Sequence, residues 1–567
     1  MRYKILTEVY EQLASTTKRL EKISILSKFL QTISEEDKDV LYLLIGRIYP
    51  EYDERRIGIS EQLVIKALAK ATGTETGKIV QEWKKIGDLG KVAKVLTEKK
   101  KQSTLASHIL TTKKVLDNLR KLPGLEGKGT VNKKMSLITE LLTSAEPTEA
   151  LYITRTLIGD LRIGLKDATI RDAMTNAFFN GDKAASESIQ KAIDKSNDVA
   201  EVFEIAKKGK LKPLNKVLLE VGKPIKAMLA QKAKNIEEGF EAVGKPAAIE
   251  YKYDGFRLII HKKGDKIILF TRRLENVTKQ FPEVVEYVKK YTKGQSFILD
   301  SEAVGYNKET KEYTPFQSIS QRIRRKYDIE KTQKELPVEV NVFDILYYNG
   351  ESLLDEPFEK RTKLISKILE NHPYKIIHAK QIITGDENSA SKFYKEALKS
   401  NQEGVMMKNL QSPYNPGSRV GHMLKIKPEQ RDLDLVITGA EYGTGKRFGW
   451  MSSFILSCKQ GKEFLEIGKM GTGIKEKVEE GISFLELTEK LTPLIIKEKG
   501  REVSIKPHIV ASITYQEIQH SPNYKSGYAL RFPRLTALRP DKSTEDVATL
   551  EEVKEAYEKQ KRNFQYG

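Results

Sequence analysis

The chain has 567 residues, more than one hydrophobic core normally organises, so roughly two to four domains are expected. Hydrophobic residues make up 39% and charged residues 31% of the chain, a composition that supplies apolar cores and excludes an intrinsically disordered protein. The formal net charge of +20 favours a polyanionic partner such as nucleic acid. A basic surface without a ligand, or the lysine-rich surface of a thermophile, would give the same charge.

The single cysteine, Cys458, excludes a disulfide within the chain and a cysteine-based zinc site. This cysteine usage fits a reducing compartment. The first ten residues carry a charge every few positions and lack the apolar core of a secretory signal, and no stretch approaches the length of a membrane span. We therefore expect a cytoplasmic protein that does not enter a membrane.

Apolar residues recur at helical spacing from Tyr3 to about Lys208. Polar or glycine-containing breaks fall at 51–60, 71–77 and 124–130. The spacing is seen in two early runs: Leu6, Val9, Tyr10 and Leu13, then Leu20, Ile23, Leu26 and Leu30. Because a glycine and a proline interrupt the pattern near Gly222, the sequence predicts an all-α domain over residues 1–221.

Beyond Gly222 the apolar period changes to two. The strings F-R-L-I-I-H and K-I-I-L-F-T, separated by K-K-G-D, predict a β-hairpin. Further strands are predicted at 296–306 and 338–348, with a helix between Glu359 and Leu369. Residues 222–427 are therefore expected to form an α+β domain with antiparallel sheets.

Short strand-like runs separated by glycine-containing turns follow residue 428, a pattern typical of a small β-barrel. Thr549 is followed three residues later by Glu552, which predicts a capping box at the start of a C-terminal helix. Residues 428–567 are thus expected to form a barrel domain that ends in a helix.

The string E-Y-K-Y-D-G-F-R at 250–257 lies between two predicted strands and, taken alone, is more often a charged hairpin end than a site of chemistry. Its meaning changes with the strings that follow it. These are T-R-R at 271, D-S-E-A at 300, F-D-I-L-Y at 343, E-G-V-M-M-K at 403, L-K-I-K at 424 and R-P-D-K at 539.

In this order, K-Y-D-G at 252 and the later strings resemble the motifs of covalent nucleotidyltransferases, the superfamily of DNA ligases, RNA ligases and capping enzymes. The string L-I-G-D-L-R-I-G-L at 157–165 is similar to part of the DNA-binding domain of archaeal and eukaryotic ligases. The resemblance therefore implies an ATP-dependent DNA ligase with a helical DNA-binding domain, a nucleotidyltransferase domain and an OB-fold barrel.

The resemblance implies that Lys252 takes AMP from ATP, that the AMP passes to a 5′-phosphate at a nick, and that the 3′-hydroxyl then expels it. Asp254 would serve in this last step. A lysine amine attacks phosphorus only when neutral, so nearby cations or desolvation must favour the neutral form. Arg257 and Arg272, together with Lys425 and Lys427, are the candidate cations; for the two lysines the alternative is a solvated strand edge.

Other residues are candidates for binding the metal ion and the adenine base. Mg²⁺, with Mn²⁺ as an alternative, needs only one or two carboxylates beside nucleotide phosphates. By resemblance Glu403 would be the main ligand, and Glu302 would lie near the ribose and assist, although each carboxylate alone is more often a surface charge. Phe343 would stack on adenine and Glu250 would accept from its exocyclic amine, which favours ATP over GTP; a core aromatic is the alternative for Phe343.

Basic residues outside the central domain are also assigned by resemblance. Arg539 and Lys542 would orient the β- and γ-phosphates after domain closure. Arg155 and Arg162 would bind the duplex backbone without reading sequence, whereas the alternative is a tight helix junction with incidental arginines.

The string Q-S-T-L-A-S-H-I at 102–109 faintly resembles a sliding-clamp peptide. Gln102 and Leu105 are in place, but His108 and Ile109 replace the usual aromatic pair. We otherwise expect a monomer that acts on nicked duplex DNA in replication, repair and recombination.

Three other functions fit the sequence less well. An NAD-dependent ligase normally carries a cysteine zinc module, which one cysteine excludes. An RNA ligase or capping enzyme would not account for the long helical N-terminal region. A non-catalytic DNA-binding scaffold is opposed by the intact Lys252, Asp254, Glu403 and Lys425.

Overall fold

The computed structural model describes residues 1–53, 55–99, 109–127, 129–323, 325, 327–428 and 432–565. The chain divides into two compact units. The large unit contains residues 1–391 and 405–426, and the small unit contains residues 392–404 and those from Lys427 onward. None of the helices within the described ranges is long and apolar enough to cross a membrane.

The first part of the large unit, here called the helical part, is formed by α-helices as predicted. They are α1 (Tyr3–Ala14), α2 (Arg19–Thr32), α3 (Val40–Leu44), α4 (Glu61–Thr72), α5 (Thr76–Ile86), α6 (Leu89–Glu98), α7 (Thr112–Lys121), α8 (Thr130–Ser144), α9 (Pro147–Ile158), α10 (Asp167–Phe179), α11 (Lys183–Ser196), α12 (Val199–Lys207) and α13 (Leu211–Asn215). Their apolar faces meet in one buried cluster that includes Leu6, Tyr10 and Leu30. The helices extend slightly beyond the predicted end at Lys208, because α13 follows α12 closely.

The second part of the large unit, here called the sheet part, follows with mixed elements. They are β1 (Leu229–Lys232), α14 (Ile236–Val243), β2 (Ala247–Lys252), β3 (Phe256–Lys263), β4 (Lys266–Thr271), α15 (Pro282–Tyr291), β5 (Ser296–Tyr306), β6 (Tyr313–Thr314), α16 (Phe316–Ile323), α17 (Ile329–Glu335), β7 (Val338–Tyr348), β8 (Glu351–Ser352), α18 (Phe358–Ile368), β9 (Ile376–His378), β10 (Gln381–Thr384), α19 (Glu387–Lys399), β11 (Gly404–Asn409) and β12 (Arg419–Ile426). The predicted hairpin is β3–β4, which turns at Gly264 with φ +58°.

These strands form two sheets. One has the order β1-β12-β11-β2-β10, and the other has the order β4-β3-β5-β7-β8, with β6 beside β5 and β9 beside β7. Most pairings are antiparallel as predicted, but β1 pairs with β12 and β7 pairs with β9 in parallel. Alternating apolar residues mark a strand without giving its direction, so the sequence pattern did not distinguish these two pairings.

Besides residues 392–399 of α19, the small unit contains the remaining strands and α-helices of the described chain. They are β13 (Asp432–Tyr442), β14 (Met451–Gln460), β15 (Glu463–Met470), α20 (Phe484–Leu491), β16 (Ile495–Lys499), β17 (Glu502–Ile505), β18 (Val510–Thr514), β19 (Glu517–His520), β20 (Tyr528–Arg531), β21 (Arg534–Leu538) and α21 (Leu550–Gln565). The long strand β13 pairs with β14 along one edge and with both β18 and β17 along the other, so one sheet curls around an apolar core.

The predicted C-terminal capping box is confirmed. The Glu552 carboxylate accepts from the Thr549 amide at 2.7 Å, and the Thr549 hydroxyl accepts from the Glu552 amide at 3.1 Å. These two bonds satisfy amides at the start of α21 that the helix itself leaves without acceptors.

Candidate active site

Lys252 is the last residue of β2, a strand that is otherwise buried. The side chains on either side of it, Tyr251 and Tyr253, are each only 5% exposed. The Tyr253 hydroxyl accepts from the Lys380 amide at 2.9 Å, which fixes the chain just after the strand. Lys252 is itself half-buried, so a rigid backbone presents its amine at the end of the sheet.

Gly255 allows the K-Y-D-G loop to lie directly against β5. A β-carbon at this position would collide with the Ala303 carbonyl oxygen and would come within 3.0 Å of the Glu302 Cγ. In the β3–β5 register Phe256 lies opposite Ala303, and Arg257 lies opposite Glu302. The fold therefore brings the K-Y-D-G and D-S-E-A strings together, as their common assignment to one site requires.

Arg257 is held by a buried carboxylate. Its Nε lies 2.8 Å from Asp300 Oδ1, its Nη2 also contacts Asp300, and its Nη1 donates to the Met228 carbonyl at 2.7 Å. The Tyr414 hydroxyl donates to Asp300 at 2.7 Å. Burial opposes the charge on Arg257, but Asp300 outweighs burial and raises the pKa of the guanidinium above its ordinary value. Arg257 is thus permanently charged and locked in position, 5.2 Å from the centroid of the Phe343 ring.

Glu250 forms a second ion pair near Phe343, and both side chains of the pair are buried. It is 2% exposed, and its Oε2 lies 2.7 Å from Lys408 Nζ. Its Oε1 is buried and has no hydrogen-bond partner among the described residues. Burial raises the pKa of Glu250 above its ordinary value, and Lys408 partly offsets this effect. Glu250 Oε1 is therefore a buried acceptor that a donor group of a ligand could satisfy.

Lys408 contacts both this carboxylate and Phe343. Its Nζ lies 3.3 Å from the Phe343 carbonyl oxygen and 4.9 Å from the centroid of the Phe343 ring. Lys408 has no assigned role in the sequence analysis, although it ends the E-G-V-M-M-K string and that position was the available signal. A buried lysine needs a buried anion, so its partner was predictable only once Glu250 was known to be buried.

Phe343 is positioned by its neighbour in β7. Asp344 and Arg361 are each 1% exposed and form an ion pair with 2.7 Å between Asp344 Oδ1 and Arg361 Nε. Arg361 also donates to the Ser412 carbonyl at 3.1 Å. This pair fixes the backbone of β7. The Phe343 ring is half-buried, so it lies at the edge of the candidate site and not within the core.

Arg272 follows β4 and is exposed. It lines a cavity of about 340 Å³ together with Arg47 and Arg56 of the helical part and with Lys226 and Arg273 of the sheet part. Arg272 has no carboxylate partner among the described residues, which leaves its charge available to an anion.

Glu302 and Lys425 belong to the large unit, whereas Glu403 and Lys427 belong to the small unit. Glu302 is a half-buried residue of β5, and Lys425 lies opposite Met406 in the β11–β12 pairing. In the small unit, Lys427 Nζ lies 2.5 Å from Glu403 Oε2. The cation and the carboxylate assigned by resemblance thus contact each other.

The described residues contain no cluster of three or more histidine, cysteine or carboxylate side chains that would hold a metal ion by themselves. A magnesium ion that arrives with nucleotide phosphates needs only one or two carboxylates and keeps several waters. Glu302 and Glu403 are each a carboxylate of the kind that this mode of binding uses.

Arg539 and Lys542 of the R-P-D-K string converge on Asp434 in the small unit. Arg539 Nη1 lies 3.1 Å and Lys542 Nζ lies 2.6 Å from Asp434 Oδ2. Arg539 also pairs with Asp541 at 2.7 Å, and this pair lowers the pKa of the Asp541 carboxyl. One carboxylate on β13 therefore holds both basic side chains together.

Arg155 is buried, which differs from the expectation of an exposed phosphate contact. Its Nη2 lies 2.6 Å from Asp88 Oδ2, and the two side chains are 8% and 3% exposed. Arg162 lies 3.1 Å from the same carboxylate and pairs with Asp160 at 2.7 Å, but its side chain is 19% exposed. A charged pair is stable in an interior when each charge has its partner, and Asp88 provides that partner. The tight-junction alternative describes Arg155 better.

The turn that carries Arg162 joins α9 to α10. Three of its residues have a left-handed backbone: Gly159 at φ +72°, Arg162 at φ +57° and Gly164 at φ +62°. The buried Lys22 donates to the Gly164 carbonyl at 3.2 Å. Arg155, Asp88 and Lys22 together fix the path of this turn.

The proposed sliding-clamp segment falls mainly outside the described residues. This applies to Gln102, Leu105 and His108, whereas Ile109 is described and is 65% exposed.

Comparison with known proteins finds similarity along nearly the whole chain. Three family models match: "DNA ligase N terminus" over residues 2–175, "ATP dependent DNA ligase domain" over 227–427, and "ATP dependent DNA ligase C terminal region" over 447–542. The chain is 44% identical to a DNA ligase of Nanoarchaeum equitans and 40% identical to one of Thermococcus fumicolans, each covering 99% of both chains. The solved structure "Pmar-Lig_PreS3" has a similar fold, with a TM-score of 0.59 and 17% identity over 94% of this chain and 99% of the other.

Proposed function

This chain belongs to the ATP-dependent DNA ligases, and from that premise we propose that it seals nicks in duplex DNA through an AMP group carried on Lys252. The observation that carries the proposal is the contact between the Gly255 loop and β5, which brings Lys252 and Glu302 to the same end of the β3–β5 pairing. The family matches support nick sealing as the reaction, and this contact supports Lys252 as the nucleophile.

The proposed reaction has three phosphoryl transfers. In the first, the Lys252 nitrogen bonds to the α-phosphorus of ATP, the bond to the β-phosphate oxygen breaks, and the amine loses a proton while pyrophosphate leaves. In the second, an oxygen of the 5′-phosphate displaces Lys252 from the AMP. In the third, the 3′-hydroxyl oxygen attacks the 5′-phosphorus, its proton is lost, and AMP leaves. We assign Asp254 to this third step.

The adenine base is proposed to bind between Phe343 and Glu250. The Oε1 atom of Glu250 is buried without a partner among the described residues, and an exocyclic amine would satisfy it. Guanine presents a carbonyl oxygen at that position, and its approach would place two acceptors together. The Lys408 contact orients Glu250 and favours its charged form, so the proposal predicts preference for ATP over GTP.

The phosphates are proposed to meet a set of cations with different roles. Arg257 is already neutralised by Asp300, so its contribution is orientation of the wall beside Phe343. Arg272 and Lys425, and also Lys427, are proposed to contact the α-phosphate, while Arg539 and Lys542 are proposed to orient the β- and γ-phosphates. Glu403 and Glu302 would hold Mg²⁺, or Mn²⁺ in its place, which would offset phosphate charge when bound.

The domain assignment is proposed on the same basis. We place a helical DNA-binding domain at 1–221, a nucleotidyltransferase domain at 222–427 and an OB-fold domain with a C-terminal helix at 428–567. The curled sheet around β13 supports the barrel, whereas contact of Arg162 with a duplex rests on the sequence resemblance. We further propose a cytoplasmic monomer; contact of the 102–109 segment with a sliding clamp remains a proposal from sequence.

The direct test is the intact mass of the protein after incubation with ATP and Mg²⁺. The natural protein is expected to gain one AMP, Lys252→Ala none, and the matched control Lys308→Ala one, because Lys308 is an exposed lysine of the same part of the chain. A gain on Lys252→Ala would place the nucleophile elsewhere. No gain on any of the three would overturn the adenylation step itself.

A further inference from the structure

A cavity of about 340 Å³ lies where the helical part meets the sheet part of the large unit. Its charged lining comes from both parts: Arg47, Glu51 and Arg56 from the first, and Lys226, Arg272 and Arg273 from the second. Five basic side chains thus share one cavity with a single carboxylate. Such an excess of positive charge in a concave site is expected to attract an anion.

The single carboxylate accounts for two of the five cations. Glu51 lies 2.5 Å from Lys226 Nζ and 3.1 Å from Arg47. Burial alone would raise the pKa of Glu51, but Lys226 and Arg47 outweigh burial and lower it, so Glu51 stays charged at neutral pH. Lys226 also approaches Asp167 at 3.8 Å. These pairs join the two parts and hold the walls of the cavity in place.

The other three cations have no carboxylate partner among the described residues. Within the described part of the chain, Arg56 donates to carbonyl oxygens of its own loop, at Asp53 and Arg55. Arg272 and Arg273 are exposed side chains that follow β4. Three guanidinium groups around one cavity match a phosphate group, because the guanidinium fork binds phosphate oxygens in pairs.

We propose that this cavity binds a backbone phosphate of the nicked duplex, with Arg56 and Arg273 as recognition residues beside Arg272. The proposal rests on the proposed function and extends it, because it makes the helical part a direct contributor to a phosphate site next to an active-site arginine. A DNA phosphate is favoured over the phosphates of ATP, since Arg47 and Arg56 come from the helical part and lie outside residues 227–427, which match the "ATP dependent DNA ligase domain" model.

The test is the salt dependence of binding to a nicked duplex, measured by fluorescence anisotropy with Arg56→Gln/Arg273→Gln. Each phosphate that the protein neutralises contributes about 0.9 to the slope of log K against log salt, so loss of this one contact in the double variant is expected to lower the slope by about 0.9 and the affinity roughly fourfold at 0.2 M salt. Arg56→Lys/Arg273→Lys keeps both charges and is expected to restore most of the slope. Arg2→Gln/Arg501→Gln removes the same charge outside the cavity and is expected to keep the slope.

Self-adenylation of the same proteins separates the two sources of phosphate. A loss that falls on adenylation by ATP and spares DNA binding would assign the cavity to the nucleotide and overturn the proposal. An equal loss of slope in Arg2→Gln/Arg501→Gln would reduce the effect to net charge and would also overturn it. Failure of the natural protein to adenylate would instead count against the proposed function, and the salt slope would still decide whether the cavity binds DNA.

Discussion

Arg257 and Arg272 lie at the same end of one hairpin, since Leu258 pairs with Thr271 in the β3–β4 register. Arg257 is half-buried and paired with the fully buried Asp300, whereas Arg272 is exposed beside an arginine-rich cavity. Both were assigned to phosphate from sequence. Their surroundings indicate different roles. Arg257, which is neutralised by Asp300, positions the site, whereas Arg272, whose charge is not compensated by a described carboxylate, is suited to bind an anion.

The largest effect is expected from breaking the buried pair. Arg257→Ala leaves Asp300 charged and unpaired at 0% exposure, which should lower the free energy of unfolding by about 3–5 kcal/mol. Arg257→Met/Asp300→Leu removes both charges and should lose much less. Urea denaturation would measure both variants. If Arg257→Ala were as stable as the natural protein, Arg257 would not have the positioning role.

Arg272→Ala is expected to show the opposite behaviour. Because its side chain is exposed and unpaired among the described residues, stability should change by less than about 0.5 kcal/mol. The rate of nick sealing should nevertheless fall on the order of 100-fold, the usual loss on removing a group that stabilises transition-state charge. Urea denaturation and a single-turnover sealing assay together test this separation. A large loss of stability would erase the contrast with Arg257.

Gly255→Ala sharpens the comparison at the start of β3. The added β-carbon collides with the Ala303 carbonyl, so the loop must move away from β5 at a cost of about 1–3 kcal/mol in stability. Displacement of Lys252 should also slow adenylation. Gly77→Ala is the control, because a β-carbon there meets nothing within 4 Å. Full adenylation by Gly255→Ala would refute the close contact.

The pH dependence of stability tests whether His261 of β3 is shielded from solvent protons. It is fully buried, its Nδ1 accepts from the Gly222 amide at 3.0 Å, and burial lowers its pKa to about 3. The folded protein thus prefers neutral His261, and stability should fall as pH drops below 6.5, by about 1.4 kcal/mol at pH 5.5. His261→Gln keeps an acceptor and does not titrate. Urea denaturation at pH 7.5 and 5.5 should give the natural protein the larger loss; equal losses would show that His261 stays accessible to protons.

Local sequence patterns predicted much of this fold. The strands at 296–306 and 338–348 have the predicted bounds, and the capping box forms at Thr549. These features depend on neighbouring residues and are visible in the chain itself. The parallel pairing of β1 with β12 depends on residues far apart in sequence, so no local pattern revealed it.

The candidate site was predictable to a similar degree. Motif order assigned roles to Lys252 and Glu250. The structure adds the burial and the ion-pair partners of the charged residues, which sequence spacing does not contain. The burial of Arg155 and the role of Lys408 both depend on distant carboxylates, Asp88 and Glu250 respectively. A charged side chain gives no sign in sequence of whether its partner will be a neighbour in the fold or a ligand.

The most direct test of the central claim uses Lys252→Ala on two substrates, an ordinary nick and a nick whose 5′-phosphate already carries AMP. Lys252 is proposed to act only before AMP reaches the DNA. The account predicts that the variant seals the adenylated nick and leaves the ordinary nick open even with ATP and Mg²⁺ present. Sealing of the ordinary nick by Lys252→Ala would contradict it.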